Sequence, residues 1–278
     1  LAENNVNRYY FLISGLFDLI LDSEKIPATS REFLDLCEGE LSVEDFDELK
    51  KIYIFNDIKN VVNYKITEKY LTPSYYSVDE FNENLKDTDS FFQFLSDFYY
   101  YKKQDKRLFP ETTEEDELLY HFYQNLDTFG KGFIYDYFNF ELSLRNISIA
   151  ISMRKRELDA SNYIINNGDY CQNLLKNTNS DFGLSKEFSF IEKLNEVYEL
   201  NDLALIEKKI EEIRWDWLDQ YSLEDFFTKN LVFVYGIKLA SVERWYSMTP
   251  ESGELIFNKL IEQIKEKINF SRDMQNWR

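Results

Sequence analysis

A single histidine limits the acid–base chemistry open to this chain. His121 stands in Leu119-Tyr120-His121-Phe122-Tyr123, and any Ser-His-Asp or Cys-His arrangement would have to use it. No G-x-S-x-G elbow accompanies it and no partner lies near it in sequence, so it reads as an ordinary packed or half-exposed side chain. Carboxylates are the other source of a general acid and base. Their densest run is Glu114-Glu115-Asp116-Glu117, but it sits just inside a predicted helix N-terminus, where the helix dipole favours acids without any chemistry. Cys37 and Cys171 lie far apart in no metal-type spacing and read as two reduced core thiols in a cytosolic protein. The sequence has no calcium loop, His/Cys cluster, Walker loop or G-x-G-x-x-G turn. The reading is of no catalytic constellation, no metal site and no cofactor.

Composition narrows the class further. A chain of 278 residues can bury about 75% of its unfolded surface, so it needs no disulfide or metal staple. Aromatics are abundant, with 24 Phe and 20 Tyr, where a disordered chain would be poor in them. Only 8 Gly and 4 Pro argue against many short strands joined by tight turns. The formal net charge is −19 and no basic run offsets it, which speaks against nucleic acid and against direct adsorption to anionic lipid. That field still allows docking onto a positively charged protein surface. No stretch approaches the roughly 20 apolar residues of a membrane span, and no signal-peptide pattern is present, so a cytoplasmic protein is expected.

The elements that would position these residues read as helices. Ser42 precedes an apolar run at helical spacing, while Ser77 with Glu80 and Thr112 with Glu115 fit the capping box. Thr249-Pro250-Glu251 is the strongest start signal and opens a one-sided stripe from Leu255 to Ile268. Long helices are predicted from Phe133 to Leu158 and from Leu223 to Trp245, and a shorter one from Asp202 to Trp217. Breaks are predicted at Thr72-Pro73-Ser74, Phe109-Pro110-Glu111 and Asn166-Asn167-Gly168, with a polar loop from Lys176 to Asp181. The opening run Tyr9 to Leu21 is helix or strand. The aromatic run from Phe91 to Tyr101 covers more than one helix face, as would either a helix buried on two sides or a partly exposed patch for a protein partner. Arg214-Trp215-Asp216-Trp217 and Glu243-Arg244-Trp245 either cap a core or face a partner.

A weak internal repeat also shows. Phe55 to Lys65 can be laid on Phe140 to Ala150; both place an acid shortly before an Asn, then an apolar run leading to basic residues.

Three segments together resemble the C/d (AC39-type) subunit family of V- and A-type ATPases. Asp57-Ile58-Lys59-Asn60-Val61 is similar to that family's "D-x-x-N-I" helix start. Glu141-Leu142-Ser143-Leu144-Arg145-Asn146-Ile147, leading to Met153-Arg154-Lys155, resembles its "acidic-x-x-N … R-x-K" helix. Tyr235-Gly236-Ile237-Lys238-Leu239, then Glu243-Arg244-Trp245 and Gly253 with Phe257, resembles its closing stretch. Tyr9 to Leu16 looks like a divergent bacterial group of that family.

The resemblance implies an all-α fold, a funnel-like array of three similar helical subdomains at roughly 1–110, 111–200 and 201–278. It implies a non-catalytic coupling subunit that links the central shaft of a soluble motor to a membrane rotor ring, for proton or sodium transport. Its partners would be those shaft and ring subunits, and it would be held at the membrane peripherally. Asn60, Asn146, Arg154, Arg244 and Trp245 are the family-motif or interface candidates. The alternative is a helical scaffold or adaptor unrelated to ATPases, although no solenoid repeat of about 34 or 40 residues is detected. A helical enzyme using carboxylates would need a cleft with two converging acids of shifted pKa.

Overall fold

The computed structural model of the chain describes residues 9–247, apart from Glu24, Asp105, Pro110, Glu111 and Asn167. Helices take 66% of the described residues and none is in a strand, so the all-α expectation holds. The helix predicted to open at Thr249-Pro250-Glu251, its stripe from Leu255 to Ile268, and Gly253 with Phe257 all lie outside the described residues. So do Pro110, Glu111 and Asn167 of two predicted breaks. Among the described residues no helix is long and apolar enough to cross a membrane.

Side-chain caps set several of the helix starts. Ser42 caps α3 (Val43–Lys50) by accepting from the Asp45 N–H. Ser77 and Glu80 form the predicted capping box of α5 (Val78–Asn84), and an unpredicted one joins Thr29 and Glu32 at the start of α2 (Ser30–Glu40). At α7 (Glu114–Gln124) the cap falls one residue later than Thr112 and Glu115. Thr113 is extended and accepts from Asp116, while the Thr112 hydroxyl donates back to the Phe109 carbonyl. The opening run holds only a short α1 (Tyr10–Ser14) and is irregular beyond it.

Two predicted boundaries shift for a backbone reason. Glu157 sits at φ 55°, so α9 (Phe133–Lys155) stops short of Leu158. Phe227 sits at φ 61°, a left-handed conformation that no right-handed helix continues. Consequently α13 (Lys229–Ser247) begins well after Leu223. Asp202 caps α12 (Leu203–Ser222), which runs past the Trp217 end expected for it.

The described residues build two cores. In the first, α2, α3, α4 (Ile54–Thr67), α6 (Gln93–Lys103), α7, α8 (Leu126–Phe129) and α13 surround a cluster of rings. Phe122 meets Phe55, Phe94, Phe129 and Phe138 edge-to-face at 5.0–5.8 Å, an arrangement that puts positive ring edges on negative ring faces. The aromatic run fits the two-sided burial read for it: Phe91, Phe94 and Phe98 are buried, and Tyr100 is the exposed ring. In the second core, α10 (Tyr170–Lys176), α11 (Ile191–Glu199) and α12 pack on the C-terminal half of α9. Helix α9 serves both cores, giving Phe138 and Leu142 to the first and Leu144, Ile147 and Ile151 to the second. A helix used on opposite sides must be apolar around most of its circumference, which explains its long uninterrupted run.

Candidate functional site

Asn60 and Asn146, singled out separately, do the same thing. The Asn60 amide accepts from the Leu71 N–H at 2.7 Å and donates to the Leu71 carbonyl at 3.0 Å. The Asn146 amide accepts from the Ile165 N–H at 3.1 Å and donates to the Ile165 carbonyl at 2.8 Å. Each side chain thus replaces a strand partner for one backbone residue in the segment after its helix, half-buried Leu71 in the first case and buried Ile165 in the second. A left-handed glutamate, Glu68 or Glu157, follows each helix before the chain turns back to the clamp. Both asparagines are mid-helix rather than near a helix N-terminus, because a bidentate clamp on a returning segment needs the side of the helix, not its end. The clamps also shift the repeat register by one residue. They align Ile58-Lys59-Asn60-Val61 with Leu144-Arg145-Asn146-Ile147, so Phe55 no longer falls on Phe140.

Neighbouring side chains reinforce each clamp. Asp57 is fully buried, and its carboxylate accepts from the Tyr75 and Tyr76 N–H groups at 2.7 and 3.1 Å. Burial pushes its carboxyl up to about 7, although those donors favour the ionised form. In the second clamp Arg145 donates to the Tyr163 carbonyl at 3.0 Å, and Tyr170 Oη lies 3.1 Å from the Asn146 amide nitrogen.

Arg154 and Arg244 hold parts of this chain together. The Arg154 guanidinium lies 3.7 Å from the Phe182 ring centroid and donates to the Asn177 and Asn179 carbonyls at 2.6 Å each, pinning the predicted polar loop. Arg244 reaches from α13 to Glu211 of α12, a fully buried carboxylate that also accepts from Ser241 Oγ. Arg214 bonds the same Glu211 at 2.7 Å and Glu141 of α9 at 2.5 and 2.9 Å. Desolvation raises the Glu211 carboxyl, yet Arg214, Ser241 and Arg244 hold it below its ordinary value. Trp245 is half-buried beside Arg244. Sequence reading missed Glu211 and Ser241. The available signal was Glu211 seven residues before Leu218, on one face of the predicted helix, with an arginine three residues on.

Beside this network lies an open cleft of about 940 Å³. Helix α9 turns Asp136, Asn139, Phe140 and Ser143 into it, a spacing that repeats one helix face. Helix α12 supplies Asp216, Trp217 and Tyr221 from across the cleft. Phe140 stacks on Trp217 with centroids 4.7 Å apart and planes 11° apart, and this pair joins the two helices. Asp169 and Glu187 come from separate loops. They carried no sequence signal, being isolated surface acids until the fold brings them to one rim.

The residues weighed for catalysis are placed elsewhere. His121 is buried and stacks on Tyr101 at 5.7 Å; desolvation lowers its pKa, although Asp97 and Glu117 raise it. The acidic run forms the first turn of α7. Within it Glu117 accepts from Arg107 Nε and the Leu108 N–H at 2.8 Å each, Glu114 pairs with Lys102, and Asp116 with Arg145. Among the described residues no group of three or more His, Cys, Asp or Glu is placed to hold a metal ion.

The chain matches the family described as "Protein of unknown function (DUF2764)" over residues 6–268. It belongs to that family. No curated protein and no solved structure matches it.

Proposed function

We propose that this member of the DUF2764 family is a non-catalytic coupling subunit of a bacterial V/A-type ATPase or ATP synthase. In this reading it links the shaft of the soluble motor to the membrane rotor ring and works on the cytoplasmic side, held to the membrane through the complex. The observation that carries the reading is the paired clamp. The two segments with the clearest likeness to the C/d family, around Asn60 and Asn146, use the same side chain for the same pair of backbone bonds. Repetition of that kind supports a fold assembled from similar helical subdomains, as the C/d resemblance implies. Ties such as Glu141–Arg214–Glu211–Arg244, centred on the buried Glu211, suit a part that passes force between partners, since they cross-link α9, α12 and α13. Affinity purification of the tagged chain from native membranes, with mass spectrometry of its companions, tests the proposal. Shaft and rotor-ring subunits should be recovered in stoichiometric amounts. Recovery of a reproducible partner set without any ATPase component would replace it with the scaffold or adaptor reading.

A further inference from the structure

The cleft between α9 and α12 combines two features that recognise one kind of ligand. Its floor is the stacked Phe140–Trp217 pair, extended by Tyr221 at 5.1 Å from Trp217. Four carboxylates stand around it, Asp136, Asp169, Glu187 and Asp216, against one ammonium, Lys193. Aromatic faces and carboxylates both attract cations, and each does so more strongly as water is excluded. Anions are repelled by such a rim, and a wholly apolar ligand would strip water from the acids without repayment.

The state of the four acids refines the picture. Asp136 accepts from Tyr221 Oη at 2.9 Å. Asp216 pairs with Lys193 at 3.2 Å, but both side chains are more than half exposed, so the pair is screened and readily exchanged. Asp169 and Glu187 are exposed, and neither carboxylate has a protein partner among the described residues. The acids come from two helices and two loops, so a single positive charge cannot serve them all.

We infer that this cleft docks a basic segment of a partner protein, with one Lys or Arg against the Trp217 and Tyr221 rings and others at Asp169 and Glu187. The net charge of −19 would speed the encounter by attracting such a segment from a distance. The inference is independent of the ATPase reading, because an adaptor of another kind would use the cleft equally well.

The test uses the full chain at low salt, with a short acetylated peptide of alternating Arg and Ala as probe. Binding is followed by calorimetry and by tryptophan emission. Saturable one-site binding is expected, with a change in emission that Trp217→Phe abolishes. The double variant Asp169→Asn/Glu187→Gln should weaken binding about tenfold, the combined worth of two partly exposed ion pairs. Both side chains are exposed, so this variant should melt like the native chain. Glu38→Gln/Glu40→Gln removes the same charge from α2, at the other core, and should weaken binding less than about twofold. Equal losses in the two double variants would overturn the inference by showing only an averaged field. Absence of saturable binding would overturn it as well, as would spermine binding as tightly with the same sensitivity to Asp169 and Glu187. None of these results depends on whether ATPase subunits co-purify.

Discussion

Asn60 and Asn146 each stand where an asparagine is a poor helix former, and each compensates by satisfying a backbone N–H and C=O that have left regular structure. Asn146→Ala should destabilise the chain by ~2–4 kcal/mol in urea melts, since two buried backbone groups lose their partners, and Asn60→Ala by ~1–3 kcal/mol, since Leu71 is half-buried. A loss in one variant only would mean that the clamps are not equivalent. Arginine variants should rank by burial. Arg214→Ala leaves both Glu141 and buried Glu211 short of a partner and should cost ~3–5 kcal/mol. Arg244 is 45% exposed, and Glu211 keeps Arg214 and Ser241 without it, so Arg244→Ala should cost ~1 kcal/mol. The reverse order would refute this account of the network. Asp57 makes a pH-dependent prediction. Its folded pKa, about 7, lies above the ordinary carboxylate value near 4. Between those values the folded chain holds a proton that the unfolded chain releases. The stability it contributes is therefore complete below pH ~4 and lost as pH rises through ~7. The stability gap between the native chain and Asp57→Asn should shrink from pH 5 to pH 8, and a constant gap would show that the carboxyl titrates normally.

At the scale of elements, α13 shows how close two helices must come. A Cβ on Gly236 would lie 2.8 Å from Ile52 Cδ1 and 2.9 Å from Phe33 Cε1, so the glycine lets α13 seat directly on α2 and the turn after α3. Gly236→Leu should cost about 2–3 kcal/mol, because overpacking outweighs the better helix propensity of leucine. A variant that melts at or above the native temperature would show that this interface can open. The cap at Thr113 carries a related lesson. The Thr112-Thr113-Glu114-Glu115-Asp116 stretch offers two overlapping cap registers, and the loop before it selects one by engaging the Thr112 hydroxyl.

For the whole molecule, α9 is the member that ties the two cores, and α12 repeats the arrangement with Leu218 in one and Ile213 in the other. Neither core can lose its side of α9 while the other keeps a complete one. Phe138→Ala in the first core and Ile147→Ala in the second should therefore each shift a single cooperative transition, with far-ultraviolet dichroism and tryptophan emission changing together. Separate transitions would show that the cores unfold independently.

What the sequence determined by itself was the helical class, several caps and the long course of α9. Those follow from interactions between residues a few positions apart: apolar spacing, a hydroxyl reaching three residues ahead, scarce glycine and proline. It also marked Asn60, Asn146, Arg154 and Arg244 as residues of note. Their partners were decided by tertiary structure. Leu71, Ile165, Asn177 and Glu211 lie from 11 to 33 residues away from the side chains that bind them, and no local periodicity encodes such a distance. The same holds for the rim of the cleft. Asp136, Asp169, Glu187 and Asp216 are unremarkable acids in the chain, and only the divergence of α9 and α12 around the Phe140–Trp217 pair gives them a common field.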